Sequence, residues 1–288
     1  MSKPINKPTQ QITDWLTLFG TALEQGDFTA AVGFFSAESY WRDLIAFTWN
    51  IKTAEGQADI EAMLTATVGH TEPSGWRIEG EATSNGDLIE AWFTFETVVA
   101  RGQGHIRLKA GLCQTLLTAM QELKGFEEKK GRKRVPGIRH VASKNRKNWL
   151  TLRQQEESEL GYNQQPYCVI IGGGQGGIAL AARLRRLAVP TIIVEKNERA
   201  GDSWRNRYDS LCLHDQVWQN DLPYLPYPDD WPVFIPKDKM GDWLEVYTKI
   251  MELNYWSSTE CKGASYNDET GTWHVTVERK GEMVVLQP

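Results

Sequence analysis

The run Gly172-Gly-Gly-Gln-Gly-Gly177 places glycines at G-x-G-x-x-G spacing, and an acidic side chain, Glu195, follows 18 residues after the last of them. These residue types at this spacing suit the binding of a diphosphate and a ribose. Gly172 can take a tight turn, Gly174 lets a diphosphate approach the backbone, and Gly177 lets a helix pack closely against a strand. A helix that begins in such a turn offers unpaired N–H groups and a partial positive charge to the anion, with Gln175 in its first turn. Glu195 is placed to accept hydrogen bonds from ribose hydroxyls, and Lys196 beside it is grouped with the same site.

The flanking residues supply the elements such a site requires. Tyr167-Cys-Val-Ile-Ile171 reads as a buried parallel strand running into the turn. Ile178, Ala181, Leu184 and Leu187 recur at helical spacing until Pro190, and Thr191-Ile-Ile-Val194 forms a second strand ending at Glu195. Strand, glycine turn, helix and strand make the first βαβ unit of a dinucleotide-binding fold. A carboxylate at position 195 repels a 2′-phosphate, so the site favours FAD or NAD over NADP.

With 288 residues and 41% hydrophobic content, the chain has material for two cores. A net charge of −5 gives no general attraction to nucleic acid or to an anionic membrane. Five scattered histidines and four distant cysteines suit neither a metal site nor a disulfide framework, and reduced thiols point to the cytoplasm. No stretch reads as a secretory signal or a membrane span.

Ahead of the βαβ unit, Ile12, Trp15, Leu16, Phe19 and Leu23 share one helix face that Gly26 ends. Asp27 caps a second helix carrying Phe28, Ala31, Val32 and Phe35, and a third helix is predicted over Gln57–Val68. The period then falls to two: Ile89, Ala91, Phe93, Phe95, Thr97 and Val99 oppose Glu90, Trp92, Thr94 and Glu96. Arg101–Gly104 and Ala110-Gly111 are read as hairpin turns before a strand over Leu112–Leu123. Helices followed by an antiparallel meander describe an α+β domain. Asp43, Glu96 and His105 are its polar candidates for a pocket, although spacing does not bring them together.

Residues 127–164 form a basic linker, with Lys129, Lys130, Arg132, Lys133, Arg134, Arg139, Lys144, Arg146 and Lys147 around Pro136. No aromatics interleave with these charges as a nucleic-acid groove requires, so a solvated linker is the better reading. A polar helix over Asn145–Leu160, anchored by Trp149 and Leu152, leads into the nucleotide domain.

Residues 10–126, with Tyr40-Trp41-Arg42-Asp43, Phe47-Thr48-Trp49 and late hairpins, resemble the NTF2-like (SnoaL-like) cone fold. Residues 165–288 carry Gly201-Asp-Ser-Trp204, Leu213-His214, Leu222-Pro-Tyr-Leu-Pro226 and Trp243-Leu-Glu-Val-Tyr247. This part resembles the N-terminal FAD-binding region of class B flavin-dependent monooxygenases, the YUCCA-like and Baeyer–Villiger group. The implied fold class is an α+β NTF2-like domain followed by an α/β Rossmann-like domain that is incomplete at its C-terminus.

The resemblance implies FAD as cofactor, with Gly172, Gly174 and Gly177 at its diphosphate, Glu195 at its ribose, and Trp204 and Leu213-His214 near its ring. Asp202 departs from the second glycine of the family's G-G-x-W segment. A small organic substrate is implied, as is a homodimer through the NTF2-like domain. NADPH is expected for the full-length family only, because the second glycine fingerprint and the F-x-G-x-x-x-H signature lie beyond Pro288. The expectation is therefore a truncated chain without turnover. Two alternatives stay open: a non-catalytic ligand-binding or dimerisation module, and an NAD-dependent dehydrogenase. After the Pro223–Pro236 loop, Asp238 is expected to cap a helix over Lys239–Leu253. Strands follow over Tyr255–Ser265, Thr272–Arg279 and Met283–Leu286.

Overall fold

The computed structural model describes residues 7–135, 137 and 146–288. Pro136, Arg139 and Lys144 of the basic run, and Asn145 at the expected start of the following helix, lie outside the described residues. Two compact units make up the chain, Met1–Glu127 and Glu128–Pro288. No helix among the described residues is long and apolar enough to cross a membrane.

In the first unit the apolar face of α1 (Lys7–Glu24) is buried, and Gly26, with φ 69°, ends it by donating its N–H to the Leu23 carbonyl. Asp27 caps α2 (Phe28–Val32) by accepting the Ala30 N–H at 2.9 Å. Phe35, expected on this helix, instead opens β1 (Phe35–Leu44). The Phe34 carbonyl already accepts from the Cys113 N–H, which commits the chain to the sheet rather than to another helical turn. Tyr40-Trp41-Arg42-Asp43 lies inside β1, where period-two alternation buries Trp41 and Asp43.

Next come β2 (Ile51–Glu55), α3 (Gly56–Thr71), β3 (Ser74–Asn85), β4 (Leu88–Glu96), β5 (Ala100–Lys109) and β6 (Leu112–Leu123). They form a mixed sheet of order β2-β1-β6-β5-β4-β3, antiparallel except for the parallel pair β1–β6. Helix α1 lies on β3 and β4, and α3 on β1 and β2. Between helices and sheet, Phe19, Phe35, Trp41, Phe47, Phe93 and Phe95 are almost wholly buried and pack ring against ring.

Arg101–Gly104 is not a turn. The chain reverses at Thr97–Val99, where the Thr97 N–H donates to the Ala100 carbonyl, and residues 101–104 run within β5. Gly102 pairs with Phe95 and Gly104 with Phe93, and a methyl group on either glycine would overlap the partner's ring. These glycines make room for aromatics on the neighbouring strand.

In the second unit, α4 (Trp149–Glu159) starts at Asn148, whose side chain accepts the Thr151 N–H. Trp149 and Leu152 stay about half exposed; Trp149 still ties the helix down by donating its Nε1–H to Glu252 Oε1 at 2.7 Å, whereas Leu152 does not have the buried anchoring role expected of it. Arg153 anchors this helix as well, donating to the Leu253 carbonyl at 2.7 Å and pairing with Glu156 and Glu157. Strand β7 (Cys168–Ile171), helix α5 (Gln175–Arg186) and strand β8 (Thr191–Val194) then form a parallel βαβ unit. After α6 (Asp202–Arg205) and the proline-rich segment, α7 (Lys237–Ile250) starts from Pro236 rather than from a capping Asp238. Asp238 lies in the first turn and accepts from the Lys237 ammonium.

Of the strand expected over Tyr255–Ser265, Tyr255–Trp256 alone, as β9, pairs in parallel with β8. Ser258, with φ 47°, turns the chain out of that sheet. The remainder of the expected strand becomes β10 (Thr259–Asn267), which joins β11 (Thr272–Arg279) and β12 (Glu282–Leu286) in an antiparallel sheet. Both faces of the parallel strands are covered: Ile170 and Ile193 contribute to a core with α5 and α7, and Ile192 and Val194 to one with Val275, Val277 and Leu286.

Candidate dinucleotide-binding site

Strand β7 delivers the chain into the glycine turn, where Gly172 has φ 105° and donates its N–H to the Val194 carbonyl. Only glycine adopts that conformation without strain. Gly177 packs where any methyl group would overlap the Gly172 carbonyl and crowd Ile170, so helix and strand approach closely. Gly174 forms the N-cap of α5, and no side chain caps the helix there. Around Gly174 and Gly176 the space is open: a Cβ on Gly174 would meet only Ser203 Oγ at 3.9 Å, and one on Gly176 nothing within 4 Å.

Glu195, at the end of β8, is buried with 7% exposure. Its Oε2 accepts the Gly173 N–H at 2.7 Å and its Oε1 accepts the Asn197 N–H at 2.8 Å. The carboxylate thus stitches the glycine turn to the chain beyond β8, and each oxygen keeps acceptor capacity for a further donor. Tyr255 on β9 closes the turn from another side, its hydroxyl donating to the Gly173 carbonyl at 3.0 Å. Burial first, and then the nearby Glu195 and Asp202 carboxylates, push this phenol well above its ordinary value, so it remains a donor.

Around the N-terminus of α5 stands the Gly201–Trp204 segment. Gly201, with φ 88°, lies so close to the Gly241 backbone that no side chain fits there. Asp202 turns inward, accepting the Arg199 N–H at 3.0 Å and pairing with Arg205 at 2.9 Å. Ser203 Oγ is buried without a hydrogen-bond partner. Trp204 Nε1 donates to Gln175 Oε1 at 3.0 Å, tying this segment to the first residue of α5. From there a cleft of about 370 Å³ continues, with an apolar floor that includes Leu213 and Met240 and a rim that includes Arg207 and the exposed His214.

The fold therefore brings Gly172, Gly174, Gln175, Gly177 and Glu195 to one turn, with Trp204 and His214 on the adjoining cleft. Lys196 is exposed, and its charge acts on Glu260. Sequence reasoning passed over Tyr255 and Ser203. The signal for Tyr255 was Gly173 itself, since a methyl group there would overlap the Tyr255 hydroxyl.

The polar candidates of the first unit do not converge. Asp43 is fully buried and accepts from the backbone N–H groups of Ala46, Phe47 and Thr48 and from the Thr48 and Thr118 hydroxyls. Glu96 pairs with Lys124 at 3.0 Å. His105 stacks edge-on against Trp92, with Glu90 at 3.9 Å.

No family model matches the chain. Among curated proteins, the probable indole-3-pyruvate monooxygenase YUCCA3 of Arabidopsis thaliana is 35% identical over 117 residues, 40% of this chain and 27% of that protein. The indole-3-pyruvate monooxygenase YUCCA1 of Oryza sativa is 31% identical over 123 residues, 42% of this chain and 30% of that protein. Among solved structures, a flavin-containing monooxygenase from Stenotrophomonas maltophilia aligns over 41% of this chain and 35% of its own, with 23% identity and a TM-score of 0.37. The chain thus spans less than a third of the length of the plant relatives it matches. Over about 40% of its length it is related in sequence to the indole-3-pyruvate monooxygenases.

Proposed function

We propose that the second unit binds FAD and serves as the FAD-binding part of a flavin-dependent monooxygenase acting on a small organic substrate. One observation carries this reading: an uncapped helix N-terminus opens onto space kept clear by Gly174 and Gly176, with the orphaned Ser203 hydroxyl beside it. A diphosphate satisfies both needs, accepting from the N–H groups of the first turn and from Ser203. The plant relatives, monooxygenases by name, support the same assignment.

In this reading Glu195 holds the ribose with the acceptor capacity left after its two backbone bonds. Trp204, Leu213 and Met240 offer apolar surface to the flavin ring, while His214 and Arg207 bring polar groups to its edge. When bound, FAD supplies the electron-transfer chemistry that a monooxygenase requires. The protein's part is to bind, orient and shield it. The adjoining apolar cleft favours FAD over NAD, and none of the described residues is assigned to NADPH. Purified protein should carry yellow colour and flavin absorbance; colourless, folded protein that takes up no added FAD contradicts the reading.

We further read the first unit as an NTF2-like cone whose outer sheet face pairs two copies. Helix placement and the β1–β6 parallel pair support the fold. Exposed Tyr40 and Trp92 on that face, beside Arg42 and Arg107, support the pairing. The buried rings that fill the interior speak against a ligand pocket there. Four cysteines without disulfides suit a cytoplasmic protein. Light scattering tests the dimer: Trp92→Asp should give monomers.

A further inference from the structure

Gly173 is held from both sides. Its N–H donates to Glu195 Oε2 at 2.7 Å, and its carbonyl accepts the Tyr255 hydroxyl at 3.0 Å. Because the peptide bond is planar and trans, the C=O of one residue and the N–H of the next point to opposite sides. Fixing the Gly173 N–H on Glu195 therefore turns the Gly172 carbonyl the other way, to the position where it would overlap a methyl group on Gly177. Fixing the Gly173 carbonyl on Tyr255 turns the Gly174 N–H away from the β9 side of the turn. Among the described residues the phenol supplies the one hydrogen bond to that second peptide, and the glycines on both sides permit other conformations without it.

From this geometry we propose that Tyr255 is a positioning residue for the dinucleotide site, aiming the Gly174 N–H so that it joins the uncapped N–H groups of α5 on the diphosphate. The proposal rests on the FAD-binding reading above. It assigns a binding function to the third parallel strand, which contributes only Tyr255–Trp256 to its sheet. It also explains why the turn carries a glycine at position 173, between those of the fingerprint: Tyr255 occupies the space of any side chain there.

The test compares wild type with Tyr255→Phe, which keeps the buried ring and removes one hydroxyl. Calorimetry with ADP and with FAD should show both binding about five- to tenfold more weakly in the variant, the loss expected for one hydrogen bond. A purely structural role would lower the melting temperature without touching the Gly174 amide, so that resonance is followed by NMR during ADP titration. In wild type it should move downfield on saturation, and in Tyr255→Phe the displacement should shrink. Unchanged ADP affinity in the variant overturns the inference alone, as does a wild-type Gly174 amide that ADP does not move. Wild-type protein that binds neither ADP nor FAD overturns the FAD reading and the inference together.

Discussion

Glu195 Oε2 accepts the Gly173 N–H at 2.7 Å, joining the end of one strand to the turn that follows its neighbour, 22 residues earlier in the chain. The contact gives the carboxylate a structural role alongside its proposed role at the ribose. In Glu195→Gln an amide N–H would face one of two backbone N–H donors, leaving a buried group unsatisfied at about 1–3 kcal/mol. The melting temperature should fall by several degrees and the co-purifying flavin should be lost. Both are read from one preparation, by calorimetric scan and by absorbance.

Gly173→Ala should be among the most damaging single-methyl changes in the second unit, because its Cβ would overlap the Tyr255 hydroxyl and ring. Overpacking of this kind costs about 1–3 kcal/mol. Adding Tyr255→Ala should recover part of the stability lost in Gly173→Ala, although Tyr255→Ala alone is destabilising. A double-mutant cycle by urea unfolding checks this coupling.

Asp43 holds the 43–48 loop together rather than working on a substrate. Asp43→Asn replaces an acceptor-only carboxylate by a group whose amide faces donors, and should cost about 2–4 kcal/mol, as breaking a buried charged network does. Tryptophan fluorescence should report an earlier transition in the first unit, whose core holds Trp15 and Trp41. FAD affinity should not change.

His105 gives a pH signature. Burial lowers its pKa, Glu90 opposes that, and Arg107 adds to it. With the folded pKa below the unfolded value near 6.5, the unfolded chain binds more protons between the two values. Stability from this group is therefore present above about pH 6.5 and lost as pH falls through that window. His105→Gln should flatten the fall in melting temperature on acidification from neutral pH; an unchanged slope counts against it.

The βαβ unit was legible because its evidence is local. Apolar period, glycine spacing and a terminal carboxylate all lie between Tyr167 and Glu195, so the chain needs no distant partner to declare them. Where a distant partner decides, sequence reasoning failed. Gly102 and Gly104 read as turn glycines because a glycine beneath a ring and a glycine in a hairpin look alike until the strand register is known. Tyr255 escaped notice because its contact with Gly173 spans 82 residues and its strand holds only two. Phe35 has the spacing of a helix residue, and the Cys113 N–H that draws the chain into the sheet comes from β6, 78 residues on.

Titration calorimetry of the folded chain with FAD tests the central claim most directly. A saturable heat with FAD, matched by a weaker one with ADP, is the predicted result. No heat with FAD, ADP or NAD would mean that the turn at Gly172–Gly177 holds no dinucleotide.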